Sequence, residues 1–289
     1  MNALAEAFEK LPGIGKGVYA PADFEAVRKI VHQTAGIVLV PGKAMLVYSR
    51  LAPLVRNTGC GTFAAYVKRI EADDSERRRA ICALTTNHTF FFREDHHFDH
   101  LGTEVRPGLL KRASAGEQVR IWSAGCSSGE ETWSIIMTML GSDRAAAARL
   151  GGLDFLLLAT DIADHALETA EAARYRVDSL NAVPSELRRA WMRERDGHAT
   201  IADEARALVR FKSLNLLGDW PMARPFDVIF CRNVMIYFDQ PTKDRLVHRF
   251  AQQLAPGGHL YIGHSERVTG PAAQMLTAVG PTIYRKVAA

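Results

Sequence analysis

Apolar residues are spaced differently in the two parts of the chain. Up to residue 86 they recur every three or four positions, beginning with Phe24, Val27, Ile30 and Val31 after Pro21. This spacing is typical of amphipathic helices, and it predicts helices from residue 21, after residue 42, over 63–70 and over 77–83. No segment in this part alternates cleanly between apolar and polar residues, so we expect a small helical bundle.

From about residue 118 onward, short apolar runs alternate with helical stretches. The runs predict strands at 119–123, 155–160, 209–212, 226–231, 259–263 and 282–287, and the stretches predict helices at 130–140, 164–174 and 242–254. Because the strand runs are continuously apolar, they favour a mostly parallel sheet that is covered on both faces. Repeated strand–helix units of this length predict a doubly wound α/β domain.

Residues 176–208 interrupt the alternation of strands and helices. A plain connection between a helix and the next strand is far shorter. The segment therefore predicts a small structured insertion, with a hairpin turn at Asp196-Gly197.

The composition indicates an ordinary globular protein, since 47% of the 289 residues are hydrophobic and 24% are charged. No apolar run approaches the roughly 20 residues that a membrane span needs, and the start of the chain lacks the basic and apolar regions of a signal peptide. The four cysteines form no CxxC pair, as expected in a reducing compartment. We therefore expect a cytoplasmic protein without membrane insertion.

The excess of positive charge is confined to the N-terminal part. The net charge is +4, and residues 1–86 alone hold 12 basic and 8 acidic residues. Residues 26–70 contain no acidic residue but seven basic ones, namely Arg28, Lys29, Lys43, Arg50, Arg56, Lys68 and Arg69. A surface of one sign attracts an anionic partner. The alternative interpretation is a solvated helical face with a biased composition.

Candidate chemistry begins where the first predicted strand ends. Small residues at 124–129 lead into Glu130 and Glu131, and their spacing is not that of a dinucleotide fingerprint. Two acids at a helix start repel a pyrophosphate but suit an ammonium group, as in S-adenosylmethionine; alternatively, they only stabilise the helix. Asp161 ends the second strand, where an acid commonly holds ribose hydroxyls, although it could equally cap the next helix.

Longer strings resemble one family. They are TNHTFFFRE at 86–94, RIWSAGCSSGEE at 120–131, ATDI at 159–162, FDVIFCRNVMIYF at 226–238 and GHSE at 263–266. From about residue 20 to its end, the chain resembles the CheR-type chemotaxis receptor methyltransferases. The resemblance implies a protein-glutamate O-methyltransferase that converts S-adenosylmethionine to S-adenosylhomocysteine. It also implies an α/β fold of the class I methyltransferase type, with a small all-α N-terminal domain and an inserted β-subdomain.

Site residues and domains follow from this resemblance. We expect a receptor-docking helical domain at 1–86, a linker at 87–117 that contributes cofactor-site residues, and a catalytic domain at 118–289 with the insertion at about 176–208. The residues that the resemblance places near the cofactor are Asn87, Thr89, Arg93, Glu130, Asp161, Asn215, Leu216, Arg232 and Asn233. It places Arg93 and Tyr237 nearest the reacting carboxylate. Thr132 stands where the family usually has proline.

The implied partners are the cytoplasmic methylation helices of chemoreceptors. Lys43 and Arg50 are seven residues apart, on nearly the same side of a helix. The resemblance adds Arg56, although Pro53 between them is expected to bend or end that helix. The hairpin tip at 195–198 looks shorter than in members that bind a receptor pentapeptide, so we expect no such tether, and we expect a monomer.

Two other functions are compatible with parts of the sequence. One is a catalytically silent module that binds S-adenosylmethionine, which the presence of Arg93 and Tyr237 argues against. The other is a nucleic-acid methyltransferase, but the chain lacks an Asn-Pro-Pro-Tyr-type motif for an extruded base, and no nucleic-acid partner is expected. His96 and His100 could share a helical face, yet no third ligand is obvious, so we expect no metal.

Overall fold

The computed structural model describes residues 4, 7–8, 15, 17–85 and 88–287. The chain forms two compact units. The first comprises Met1–Thr86 and Tyr237–Asp239, and the second comprises Asn87–Ile236 and Gln240–Ala289. Among the described residues, no helix has the length and apolar character needed to cross a membrane.

The first unit is helical, as predicted. Its helices are α1 (Pro21–Ala35), α2 (Ala44–Asn57), α3 (Phe63–Ala72) and α4 (Asp74–Leu84), with a 3-10 turn at Pro41–Lys43 before α2. The buried faces of these helices carry Phe24, Val27, Leu51 and Tyr66 at helical spacing. Pro53 lies inside α2 and does not end it, so Arg50 and Arg56 belong to one helix.

The helices of the second unit surround a sheet. They are α5 (His96–His100), α6 (Arg106–Ser114), α7 (Glu130–Leu140), α8 (Ala145–Gly151), α9 (Asp164–Ala172), α10 (Ser185–Trp191), α11 (Asp203–Arg206) and α12 (Gln240–Gln253). A π-helical segment, Leu101–Val105, joins α5 to α6. Helix α9 ends two residues earlier than predicted, because Ala173 takes a left-handed conformation with φ 52°.

The strands of the second unit belong to two sheets. In chain order they are β1 (Val119–Ala124), β2 (Phe155–Asp161), β3 (Arg174–Arg176), β4 (Met192–Arg195), β5 (His198–Ile201), β6 (Val209–Ser213), β7 (Phe226–Cys231), β8 (Leu254–Ile262), β9 (Leu276–Gly280) and β10 (Ile283–Lys286). The larger sheet has the order β6-β2-β1-β7-β8-β10-β9. Strands β1, β2, β6, β7 and β8 are parallel, and β10 is antiparallel to β8 and β9. The predicted doubly wound, mostly parallel sheet is confirmed.

The smaller sheet is the predicted insertion. Its order is β3-β5-β4, and both pairs are antiparallel. Asp196 and Gly197 connect β4 to β5 with φ angles of 52° and 72°, which is the left-handed pair that a two-residue hairpin of this twist requires.

The order of the larger sheet determines where a ligand can bind. From β1 the chain proceeds outward to β2 and β6, whereas β7 and β8 lie on the other side of β1. The connections therefore diverge between β1 and β7. In open α/β sheets, ligands bind beyond the carboxyl ends of the strands at such a point.

Candidate functional site

The loop between β1 and α7 is folded tightly against its surroundings. Gly125, Ser127 and Gly129 all have positive φ angles, of 82°, 50° and 95°. The amide of Gly125 donates a hydrogen bond of 2.7 Å to the carbonyl of Thr160 in β2. A Cβ atom added to Gly129 would lie 2.8 Å from the Tyr175 hydroxyl and 2.8 Å from the Cβ of Ala170. Both its conformation and its close packing therefore require glycine at 129.

Asp161 fixes this loop from the end of β2. Its Oδ2 accepts a 2.8 Å hydrogen bond from the amide of Ser127, and its Oδ1 accepts one of 2.9 Å from the amide of Ala163. Burial raises the pKa of Asp161, although these backbone hydrogen bonds oppose the shift. The N-cap of α9 is Ala163, so the helix-capping alternative for Asp161 is wrong. A carboxylate can accept about four hydrogen bonds, so a ribose hydroxyl remains compatible with this geometry.

The two adjacent acids at the start of α7 have different partners. Glu131 accepts a 2.8 Å hydrogen bond from the Ser123 hydroxyl and lies 3.4 Å from a guanidinium nitrogen of Arg232. Glu130 accepts a 2.7 Å hydrogen bond from the Ser128 hydroxyl, and no described basic side chain lies within 4.0 Å of it. Burial raises the pKa of both carboxyls. Of the two, Glu130 is therefore the acid that a cationic ligand group can pair with.

Arg232 follows β7 and is enclosed by protein. Its side chain is 2% exposed, and its guanidinium nitrogens lie 3.4 Å from Glu131 and 3.5 Å from Glu94. One of them also donates a hydrogen bond to the backbone carbonyl of Arg93. The guanidinium lies 5.5 Å from the ring centre of Phe98. The Arg232 side chain thus links the start of α7 to the 92–94 segment.

Glu94 was not among the predicted site residues, yet it joins three of the matching strings. Its Oε1 accepts a hydrogen bond of 3.2 Å from the Asn233 side chain and lies 3.1 Å from Nδ1 of His264. Burial alone would raise the pKa of Glu94, but the charge on Arg232 and the hydrogen bonds from His264 and Asn233 lower it overall. The carboxyl is therefore held ionised. Its only signal in the sequence was its place directly after Arg93 in the TNHTFFFRE string.

Glu266 holds the loop after β7. Its carboxylate accepts hydrogen bonds from the amides of Gly263, Met235 and Asn233, at 2.6, 2.8 and 3.3 Å. Asn233 is left-handed, with φ 59°. A Cβ atom on Gly263 would lie 2.7 Å from the Asn233 amide nitrogen. The strings that contain Asn233 and Glu266 therefore meet in space, where the Glu266 carboxylate holds the backbone amides of both strings.

The remaining predicted cofactor residues lie at different places in the second unit. Arg93 is half-buried, and its guanidinium donates to the carbonyl of His88 at 3.0 Å. Thr89 is half-buried in the same segment. Asn215 and Leu216 follow β6, and the amide of the preceding Leu214 donates to the carbonyl of Asp161 at 2.9 Å. Asn87 lies outside the described residues.

The predicted site residues of the first unit differ in their exposure and in their contacts. Tyr237 belongs to this unit, where its carbonyl accepts a 2.8 Å hydrogen bond from the amide of Val38. Lys43 and Arg56 are exposed. Arg50 is half-buried and donates to the carbonyls of Ala83, at 3.3 Å, and Thr85, so it helps to fix the end of α4.

The histidines at 96 and 100 are engaged by hydrogen bonds. Nε2 of His96 lies 3.2 Å from the carbonyl oxygen of Pro281, and Nδ1 of His100 lies 2.9 Å from the Tyr261 hydroxyl. These contacts account for one ring nitrogen of each histidine.

Comparison with known families identifies the chain. A model described as the CheR methyltransferase, SAM binding domain, matches residues 87–284, and one described as the CheR methyltransferase, all-alpha domain, matches residues 22–85. The chain belongs to the CheR methyltransferase family. It is a chemotaxis protein methyltransferase, which uses S-adenosylmethionine to methylate glutamate side chains of chemoreceptors.

Individual relatives match over nearly their whole length. A probable chemotaxis protein methyltransferase from Rhizobium etli is 44% identical over 89% of this chain and 96% of its own. Chemotaxis protein methyltransferases from Klebsiella aerogenes and Escherichia coli are 40% and 38% identical, over 98% and 91% of this chain and 93% and 90% of their own.

The tight loop before α7 generates a first prediction. Gly129→Ala should lower the free energy of unfolding by about 2–4 kcal/mol, because it combines an unfavourable backbone conformation with steric overlap. The matched control is Gly116→Ala, since Gly116 also has a positive φ, of 84°, but has nothing within 4 Å of an added Cβ. The control should lose only about 1–2 kcal/mol. Urea unfolding measures both, and equal losses would contradict the packing argument.

Proposed function

We propose that S-adenosylmethionine binds beyond the carboxyl ends of β1 and β2, with its amino-acid end at Glu130 and its ribose at Asp161. The observation that supports this layout is the contrast between two neighbouring acids. Glu131 is paired with Arg232, whereas Glu130 is half-buried, accepts a hydrogen bond from the Ser128 hydroxyl and has no described basic side chain within 4.0 Å. An ammonium group would offset the cost of burying the Glu130 charge.

The other proposed cofactor residues frame the same site. Asn215 and Leu216 leave β6 beside Asp161, and Thr89 and Arg93 come from the segment before α5. Arg232 and Asn233 contribute indirectly, because their side chains are bound to Glu94 and Glu131. When bound, S-adenosylmethionine supplies an electrophilic methyl group on a sulfonium. The proposed contact between Asn87 and the cofactor rests on the resemblance to the family alone.

The chain's own contribution to catalysis is positioning. A glutamate carboxylate has a reference pKa of about 4.3, so at neutral pH it is already a nucleophile and needs no general base. We propose that Arg93 and Tyr237 orient this carboxylate and exclude water from it. Alignment of this kind can lower a barrier by roughly 7–11 kcal/mol in favourable systems. A fully clamping arginine would reduce the nucleophilicity of the carboxylate, so orientation by one arginine suits the reaction.

The cofactor layout predicts a specific effect of Glu130→Gln. Loss of the charge should weaken the binding of S-adenosylhomocysteine about tenfold, which corresponds to one charged hydrogen bond. In the unchanged protein, affinity should fall as the pH decreases through the raised pKa of Glu130, because the protonated carboxyl no longer attracts an ammonium group. The variant should lack this pH dependence.

Isothermal titration calorimetry with S-adenosylhomocysteine measures both effects. Glu168→Gln is the control, since Glu168 is an exposed acid on α9. Affinity that is unchanged in Glu130→Gln would overturn the placement of the amino-acid end.

For the receptor, we propose docking on the exposed basic side chains of the helical unit. Six of the seven basic residues in the acid-free stretch 26–70 are exposed, and the exception is Arg50. Since the Arg50 guanidinium is bound to two backbone carbonyls, Lys43 and Arg56 are the better candidates for contact with acidic methylation helices. In this proposal Arg50 supports the docking surface indirectly, through its hydrogen bonds to the backbone at the end of α4.

Docking by charge predicts a salt-dependent Michaelis constant. The double variant Lys43→Ala with Arg56→Ala should raise the Michaelis constant for a receptor fragment by about threefold to tenfold at low salt. Its affinity for S-adenosylhomocysteine should not change. The control is Lys68→Ala with Arg69→Ala, which removes two exposed charges from the same stretch. Equal effects of the two double variants would show that only net charge matters.

We also propose that the enzyme is a cytoplasmic monomer without a peptide tether. The insertion has two edge strands: β3 has three residues, and the longer one, β4, has only four. Its exposed side chains are Arg193, Glu194 and Arg195, and charged side chains on an edge oppose strand addition. A tether acts by raising effective concentration, which a weakened edge would not provide.

Titration with peptides that end in a receptor C-terminal pentapeptide tests this proposal. We expect no saturable binding in the micromolar range, and an unchanged Michaelis constant for receptors that lack the pentapeptide. Micromolar binding that perturbs β4 would overturn it.

A further inference from the structure

The turn that carries Arg93 has an unusual backbone. Phe92 and Glu94, on either side of it, are both left-handed, with φ angles of 53° and 56°. Each such residue costs on the order of 1–2 kcal/mol unless the surroundings enforce the conformation. Two of them within three residues therefore require specific support, and strain of this kind is often found where a functional side chain is presented.

The surroundings of the turn supply that support at every residue. The amide of Phe92 donates a 3.0 Å hydrogen bond to the Ser134 hydroxyl on α7. The carbonyl of Arg93 accepts from Arg232. The carbonyl of Glu94 accepts a 3.1 Å hydrogen bond from the amide of His97. The backbone on both sides of the Arg93 side chain is thus fixed.

The Glu94 carboxylate connects this backbone to two other loops. One oxygen receives the Asn233 side chain and lies beside His264, and the other lies 3.5 Å from Arg232. Arg232 is 2% exposed, so its charge depends on its two acidic partners, Glu94 and Glu131. Loss of the charge on Glu94 would leave the buried guanidinium of Arg232 with one carboxylate partner instead of two. The same guanidinium donates a hydrogen bond to the Arg93 carbonyl.

We propose that Glu94 is a positioning residue for methyl transfer, which keeps Arg93 in the orientation that the receptor carboxylate requires. It acts through the 92–94 backbone and through Arg232, without contact with the substrate. This inference rests on the proposed role of Arg93. It adds a residue that family resemblance did not assign, and it gives the Arg232 and Asn233 side chains a role in orienting Arg93.

A double-mutant cycle separates this role from a general structural one. Glu94→Gln removes the charge but keeps the size of the side chain, and it should lower kcat for a receptor fragment by between about tenfold and a hundredfold. The Michaelis constant for the receptor and the affinity for S-adenosylhomocysteine should change by less than about threefold. In an Arg93→Ala background, the same substitution should have almost no further effect on kcat, because the residue that it positions is absent.

Three comparisons complete the test. Glu104→Gln, an exposed acid on the π-helical segment, should leave kcat unchanged. His264→Ala should reproduce the effect of Glu94→Gln in weaker form, and it is safe for folding because the His264 side chain is 67% exposed. Thermal unfolding of each variant shows whether it is folded, and if Glu94→Gln is not, the cycle is carried out with His264→Ala.

The outcomes are distinct. Additive effects of positions 93 and 94 on kcat would overturn the positioning role, as would a Glu94→Gln variant with unchanged kcat. If Arg93→Ala itself retains full kcat, then the proposed role of Arg93 fails, and that failure is visible before position 94 is tested.

Discussion

The ion pairs of Arg232 are the constraint on which the rest of the site depends. A guanidinium that is 2% exposed is tolerable only if carboxylates and hydrogen-bond acceptors surround it, and Glu94, Glu131 and the Arg93 carbonyl meet this need. These partners come from the turn before α5 and from the start of α7, while Arg232 itself follows β7. One buried charge thus sets the relative positions of three segments that surround the carboxyl ends of the strands.

Constraints on the backbone next to Arg232 explain why long strings of sequence resemble the family. Asn233 must be left-handed, Gly263 must lack a Cβ atom beside it, and Glu266 must accept two amides of the loop after β7 and the amide of Gly263. None of these requirements involves a ligand directly. A matching string therefore identifies a site by the scaffold that holds it, and a residue within it can be essential without touching cofactor or substrate.

The sequence predicted the sheet well because its central strands are continuously apolar, and it predicted the insertion from length and one turn. It did not predict β9, whose residues after Leu276 are largely exposed and show no apolar run. It also did not reveal the contacts that Glu94 and Arg50 make. These contacts join residues far apart in sequence, from Glu94 to Asn233 and from Arg50 to Ala83, and no local pattern encodes them.

The pairing of acidic and basic side chains also affects how one site can bind both a cationic cofactor and an anionic receptor glutamate. Among the described residues, Arg232 offsets one of the two charges on Glu94 and Glu131, so with Glu130 and Asp161 the proposed cofactor site has an excess of acidic side chains. An acidic site suits a cationic cofactor but repels a glutamate carboxylate. Arg232 is committed to its acidic partners, and Arg93 is a second cation near them; among the described residues its guanidinium donates to the His88 carbonyl and lies 5.7 Å from the ring centre of Phe90. In our proposal Arg93 receives the incoming carboxylate, so the support of its backbone by Ser134, Arg232 and Glu94 would determine how that carboxylate is held.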